Sequence, residues 1–386
     1  MNASSLRIAL FSGNYNYVRD GANQALNRLV DYLLRSGANV RIYSPTVETP
    51  AFQATGELVS IPSLPFPAGR GEYRLAFGLT RTAKRDLEAF SPNLIHVSSP
   101  DFLGHSAVKF ARKRKIPVVA SMHTRFETYP RYYGLAFLEP AIEAILRRFY
   151  RRCDAVVAPS ESMAQVLREQ RMSYNIGIWT RGIDREIFNP AKRDLGWRKS
   201  LGLDPELPVI GFLGRLVMEK GLDVFSDAID MLKHRQIRHA VLVVGDGPAR
   251  EWFRGRLPEA VFAGFQGGHD LGRAVASMDV LFNPSVTETF GNVTLEAMAC
   301  GVPVVAAKAT GSENIVDDGV TGRLIKPGAI SAFADALGEY CSDPAMRKAQ
   351  GRAGIETSAR YDWDIVNQAL VDTYLRQPGL HSAIET

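Results

Sequence analysis

Residues 208–221 read PVIGFLGRLVMEKG, and how this stretch is parsed decides the fold. Val209 to Leu213 is a short run of apolar residues on both faces, as expected of a strand buried on both sides of a parallel sheet. It closes on Gly214, and helical periodicity begins near Gly221, so a strand and a helix are joined by a turn that carries Arg215 and Lys220. The same pattern recurs downstream in AVLVVGDG (240–247), VFAG (261–264), VLFNPS (280–285) and VPVVAA (302–307). Upstream it recurs in LRIALFSG (6–13), ANVRIYSP (38–45), LIHVSS (94–99), IPVVASMH (116–123) and DAVVAPS (154–160). The intervening segments read as helices. In 23–37, Leu26, Leu29, Val30, Leu33 and Leu34 form one apolar stripe and Gly37 supplies the stop.

Strands alternating with helices predict an α/β protein with parallel sheets, and 386 residues are too many for one such domain. The pattern loosens over 184–208, which is charged and carries prolines at 190, 205 and 208. The expected organisation is a Rossmann-like domain over 1–185, a linker over 186–207 and a second Rossmann-like domain over 208–360. A C-terminal helix over 361–386 is expected to pack back on the first domain. Two doubly wound domains are expected to face each other across a cleft, with binding loops at the carboxyl ends of their strands.

Composition excludes several classes. No uncharged stretch is long enough to span a bilayer, and the N-terminus lacks the pattern of a signal peptide, so a cytoplasmic protein is expected. Cys153, Cys300 and Cys341 are odd in number and lack CxxC spacing, which argues against a disulfide framework or zinc site. The net charge of +5 hides an asymmetry: residues 1–185 carry 25 basic and 15 acidic residues, a net of +10, and the other 201 carry 21 and 26, a net of −5. No helix-turn-helix, RNP or zinc-finger pattern accompanies the basic half, so nucleic acid is not an expected partner.

Two motifs carry chemistry. Arg215 and Lys220, on a turn just before a helix, suit a polyanion, because the helix start adds free N–H groups and its dipole. In 285–305, SVTETFGNVTLEAMACGVPVV, Glu288 precedes a glycine and Glu296 falls inside the following helix. Carboxylates accept readily from the hydroxyls of a sugar, and Glu296 stands among Leu295, Ala297, Met298 and Ala299, where a partly buried acid needs a partner. The backbone of Thr289, Phe290, Gly291, Asn292 and Val293 lies at the start of that helix and suits phosphate oxygens.

Arg215, Lys220, the Glu288–Glu296 pair, GDGP at 245–248 and GVPVVA at 301–306 together resemble the retaining glycosyltransferases of family 4, which have the GT-B fold. The resemblance implies that Arg215 and Lys220 hold the donor diphosphate, that Glu288 contacts the donor sugar and that Glu296 accepts from the ribose hydroxyls. It also implies that Thr289 to Val293 reach sugar and phosphates through their backbone, with backbone around Gly264 to Gly268 meeting the base. In the first domain it places His123 near the donor sugar and Gly21 in a loop closing over the diphosphate. Glu288, His123, Arg215 and Lys220 would then be the catalytic residues. The expected donor is a UDP- or GDP-sugar, with UDP favoured, and no cofactor or metal is expected.

Asp20-Gly21-Ala22 stands where many relatives have two adjacent glycines, and Glu288-Thr289 where many have a proline. The latter, together with HTRFETYPRYYG at 123–134, resembles the branch of lipid mannosyl- and sulfoquinovosyltransferases. Asp362-Trp363-Asp364 formally spells the metal motif of another glycosyltransferase fold, but it opens a helix instead of following a strand.

The basic excess falls in three groups: Arg70, Arg74, Arg81, Lys84 and Arg85; Lys109 and Arg112 to Lys115; and Arg147, Arg148, Arg151 and Arg152. The last follows a mixed aromatic and aliphatic segment, which suits an anionic membrane surface at about 1 kcal/mol per basic residue. The resemblance places the acceptor in the first domain, and a lipid or lipid-linked glycan acceptor there would account for the basic excess. Two other classes remain open: an NAD-type oxidoreductase, although FSGNYNYVRDG (11–21) lacks GxGxxG spacing, and a non-catalytic sugar-nucleotide-binding protein.

Overall fold

The computed structural model describes residues 2–65, 73–128 and 135–380, and these form two compact units. The first comprises Met1–Gly182 and Trp363–Thr386, the second Ile183–Asp362. In chain order the first unit contains β1 (Arg7–Phe11), α1 (Gly21–Arg35), β2 (Asn39–Ser44), β3 (Glu57–Ser60), β4 (Ser63–Pro65), β5 (Arg74–Ala76) and α2 (Arg81–Phe90). It continues with β6 (Leu94–Val97), α3 (Phe102–Arg114), β7 (Val118–Ser121), α4 (Glu139–Tyr150), β8 (Ala155–Ala158), α5 (Glu161–Glu169) and β9 (Ile176–Ile178). The second unit contains α6 (Leu195–Ser200), β10 (Val209–Leu213), α7 (Leu222–His234), β11 (Ala240–Val244), α8 (Arg250–Arg256), β12 (Val261–Gly264) and α9 (Gly268–Ala276). It ends with β13 (Val280–Asn283), α10 (Asn292–Ala299), β14 (Val304–Ala307), β15 (Gly322–Ile325), α11 (Ile330–Ser342) and α12 (Pro344–Ser358). The chain then returns to the first unit as α13 (Trp363–Leu375).

Both large sheets are wholly parallel. Their orders are β3-β2-β1-β6-β7-β8-β9 and β12-β11-β10-β13-β14-β15, and β4 and β5 form a separate antiparallel pair. Along β1, Ile8 and Leu10 face one core with Leu26, Leu29 and Leu33 of α1 and Val366, Leu370 and Tyr374 of α13. Ala9 and Phe11 face the other core with Leu87, Leu103, Val108 and Phe149. This period-two alternation, covered by helices on both faces, is the doubly wound pattern read from the sequence. Each fully buried leucine or phenylalanine contributes about 1.5–3 kcal/mol.

Residues 186–207 are not the linker that their composition suggested. Arg198 of α6 is buried, pairs with Asp279 (Nη1–Oδ2 3.0 Å) and donates to Leu207 O at 2.8 Å. Arg193 grips the other oxygen of Asp279, and a Cβ on Gly272 would lie 1.9 Å from Ile187 O. The charges and prolines that look like a linker in the sequence build a wall of the second unit.

Candidate active site

Strand order positions the candidates. In the second sheet the order reverses between β10 and β13, and ligands of open α/β sheets bind beyond the carboxyl ends of strands at such a reversal. The loops leaving these strands hold Arg215 and Lys220 on one side and Glu288, Thr289, Phe290 and Gly291 on the other. They are tied together: Lys220 Nζ donates to Glu288 Oε1 at 2.6 Å, and Thr287 Oγ1 donates to Glu219 O at 3.2 Å. The sequence placed Lys220 with Arg215 and left Glu288 to the sugar. The ion pair adds that an ammonium with further N–H donors and a carboxylate with a second oxygen are held side by side.

Neighbouring glycines hold these loops. GDGP, only a landmark in the sequence, is the support of the Arg215 turn: Leu216 N donates to Asp246 O and Ala249 N to Leu216 O, at 2.9 and 3.0 Å. A Cβ on Gly245 would lie 1.9 Å from Gly214 O, and one on Gly247 2.5 Å from Leu216 O, so neither position admits a side chain. Gly311, which sequence reasoning passed over, supports Glu288 in the same way. Its φ is +90°, and a Cβ there would lie 2.9 Å from Glu288 O. The available signal was a glycine just beyond the VPVVAA strand. Phe290 is buried with its ring edge-on to Tyr361 at 5.7 Å, so it anchors the loop and leaves only its backbone for a ligand.

Helices α7 and α10 both start on glycines with positive φ, Gly221 at +74° and Gly291 at +99°, and neither has a side-chain cap. Leu295 N is the first in α10 to find a helical carbonyl. The amides of Asn292, Val293 and Thr294 have no protein partner among the described residues. Such a helix start is an anion site. Glu296 follows one turn later. Burial, and then the charge of Glu288, push its carboxyl up to about 8. The residue remains partly accessible and has no side-chain hydrogen-bond partner among the described residues, so it is open to a ligand or to water. At the end of β12, Gly264 and Gly268 have positive φ and open space where a Cβ would point.

In the first unit the reversal lies between β1 and β6. Gly21 is the first residue of α1, directly behind Asp20, whose carboxylate accepts from Asn23 N at 2.8 Å in a capping box. His123 stands just beyond β7. Its Nε2 lies 2.8 Å from Ser121 Oγ, its Nδ1 accepts from Arg181 Nη2 at 2.7 Å, and its ring is edge-on to Trp179. Burial and the Arg181 charge hold the imidazole well below its usual range. Arg181 was missed. Its signal is an arginine before a glycine just after a short strand, in WTRGID (179–184).

Many of the basic residues are locally engaged: Arg112 with Asp154, Arg114 with Glu88, Arg147 with Glu143, and Arg151 over the Tyr174 ring. Arg70 and 129–134 of the branch motif lie outside the described residues. Beside the third basic group, Phe137, Ile145 and Tyr174 are exposed by 74%, 59% and 89%. Asp364 of the DxD-like triplet pairs with Arg35 at 2.8 Å. Among the described residues there is no His, Cys, Asp and Glu cluster suited to a metal, and no helix is long and apolar enough to cross a membrane.

Residues 19–187 match the family model described as Glycosyltransferase Family 4, and residues 207–343 the model described as Glycosyl transferases group 1. The chain is 31% identical over 369 residues to the sulfoquinovosyl transferase SQD2 of Arabidopsis thaliana, covering 92% of this chain and 71% of that one. It is 31% identical over 384 residues to a GDP-mannose-dependent alpha-mannosyltransferase of Mycolicibacterium smegmatis, covering 96% and 97%. The fold is shared with a sucrose-phosphate synthase from Thermosynechococcus elongatus (TM-score 0.78, 20% identity, 96% and 98% covered). It is shared also with Anabaena HepE in complex with UDP and glucose (TM-score 0.74, 19% identity, 96% and 100% covered). With two family models over its two halves and full-length relatives at this identity, the chain belongs to glycosyltransferase family 4, as a GT-B hexosyltransferase of the sulfoquinovosyl- and mannosyltransferase branch.

Proposed function

We propose that the enzyme transfers a hexose-type sugar from a UDP- or GDP-sugar to a hydroxyl of a membrane lipid or lipid-linked glycan, with retention of configuration and without a metal ion. The observation that supports this is the β10/β13 crossover, where the turn bearing Arg215 and Lys220 is tied through the Lys220–Glu288 pair to the loop that leads into the uncapped start of α10. Arg215, Lys220 and the α10 amides would hold the diphosphate and stabilise it as it leaves. Glu288 and Glu296 would accept from sugar and ribose hydroxyls. The bond from the anomeric carbon to the phosphate oxygen breaks, and the acceptor oxygen bonds to that carbon on the same face. The acceptor proton passes to the departing phosphate oxygen, so no protein base is required.

Family membership sets aside the NAD-dependent alternative. The relatives named for GDP-mannose support a guanosine donor, and the HepE complexes with UDP support a uridine one. The exposed Phe137, Ile145 and Tyr174 beside Arg148 and Arg151 support a membrane-facing acceptor side. The test is protection from thermal unfolding by a panel of UDP- and GDP-sugars, followed by transfer assays on lipid acceptors in vesicles. Protection by one class and a glycolipid product are expected. No protection by any nucleotide sugar would overturn the donor assignment, and equal sedimentation with neutral and anionic vesicles would overturn the membrane assignment.

A further inference from the structure

His123 is the one partly accessible member of an otherwise buried polar chain that no motif announces. From Arg181 Nη2 the chain runs to His123 Nδ1 (2.7 Å), from His123 Nε2 to Ser121 Oγ (2.8 Å), from Ser121 Oγ to His96 Nε2 (2.8 Å), and from His96 Nδ1 to the Tyr374 hydroxyl (2.6 Å). These groups come from the segment after β9, from β7 and its end, from β6 and from α13. Trp179 lies among them, edge-on to both histidines, under the Arg181 guanidinium at 5.0 Å, and donating from Nε1 to Asn367 of α13 at 3.3 Å.

The geometry leaves His123 one protonation state. A guanidinium only donates, so Nδ1 must be the acceptor and a neutral ring must carry its proton on Nε2, pointed at Ser121. Protonating Nδ1 would break the bond to Arg181 and set two cations 2.7 Å apart. Arg181 is itself buried, donates from Nη1 to the carbonyls of Trp179 and Thr180, and forms no ion pair with a carboxylate among the described residues. Among the described residues, the charges of Arg181 and His96 act on His123, and Asp20 before α1 acts on Arg181 from further off.

We propose that Arg181 is a positioning residue for the transfer reaction: it locks His123 as a neutral imidazole with its proton on Nε2, at the end of a polar chain anchored by Tyr374 of the C-terminal helix. His123 then serves the substrate by its place, not by moving a proton. This rests on the transferase reading above and goes beyond it, because it assigns Arg181, His96, Ser121 and Tyr374 to the upkeep of the site.

The test is nitrogen NMR of the imidazoles in protein labelled at its seven histidines, with His123 assigned through His123→Gln, together with steady-state kinetics. In the wild type, His123 should show an unprotonated Nδ1 and no titration between about pH 5 and 9. Arg181→Met should release the tautomer and lower kcat by about 10- to 100-fold, the scale of a misplaced group, with a change of less than about threefold in the donor KM. Arg181→Lys, which keeps a cationic donor, should recover part of that loss, and Tyr374→Phe should cost a few-fold. A His123 that titrates in the wild type would overturn the proposal, as would an Arg181→Met variant that changes neither tautomer nor kcat, or changes KM alone. If Arg181→Met does not fold, Arg181→Lys and the wild-type spectrum decide. The NMR arm needs no substrate. A locked His123 in a protein without transfer activity would overturn the transferase reading, and a titrating His123 in an active transferase would overturn this proposal alone.

Discussion

The two units repeat one topology and finish it in opposite ways. In the first, the helices flanking the strand-order reversal are capped by the protein's own carboxylates: Asp20 takes the Asn23 amide of α1, and Asp101 takes the Gly104 amide of α3. In the second, the equivalent helices α7 and α10 start on Gly221 and Gly291, with no side chain on their amides and with Arg215 and Lys220 on the adjoining turn. A carboxylate cap satisfies the helix start and repels a phosphate, whereas a glycine cap leaves both N–H groups and dipole to a ligand. Net charge points the wrong way, since the half with +10 has the closed helix starts and the half with −5 the open ones. In the proposed site it is local caps, not summed charge, that favour a diphosphate.

The comparison can be broken by substitution. Arg215→Ala or Lys220→Ala should each remove a charge-assisted hydrogen bond of about 1.5–3 kcal/mol, a loss of roughly 10- to 100-fold in nucleotide affinity and more in turnover. Wild-type rates in both variants would break it outright. Gly291→Asp gives α10 the kind of cap that α1 has. Measured against Gly291→Ala, which bears the same backbone strain, the carboxylate should weaken UDP and GDP binding by about fivefold in calorimetry. Equal affinities would mean that the open helix start is not the phosphate site. Asp20→Ala should cost about 1 kcal/mol of stability in denaturant unfolding while leaving nucleotide affinity nearly unchanged.

Glu296 sharpens the comparison through pH. Its carboxyl keeps its proton in the folded chain up to about 8, against an ordinary value of 4.5, so the folded state binds more protons across that window and stability falls as pH rises through it. Glu296→Gln should weaken nucleotide-sugar binding yet be more stable than the wild type above about pH 8, with the advantage vanishing below about pH 4.5. Thermal melts across pH read this directly, and a constant offset would refute it. Cys300→Ser, a buried site beyond the ligand-facing turn of α10, should matter least, with donor KM and kcat unchanged.

Much of this was legible because central strands of a parallel sheet are covered on both faces and read as apolar runs, as in 209–213 and 304–307. The strands that sequence reasoning missed in the two large sheets, β3, β9 and β15, are edge strands, half-exposed and interrupted by Glu57, Gly177 and Arg323. Site residues adjacent in sequence were visible as motifs, as with Glu288 to Val293. Those that depend on long-range approach were not. The Lys220–Glu288 pair spans 68 residues and the Arg181–His123 bond 58, and the fit of Gly311 against Glu288 needs two loops from different strands. The apparent linker misled for the same reason, because its Arg193 and Arg198 pair with Asp279, far along the chain.

The most direct test of the contrast between the units is an amide NMR titration of the full chain with UDP and with GDP. The account predicts that the Asn292, Val293 and Thr294 resonances move with the binding nucleotide, while Asn23 of α1 and Gly104 of α3, whose amides Asp20 and Asp101 already hold, stay in place. Shifts confined to the first unit, with the α10 amides unmoved, would contradict it.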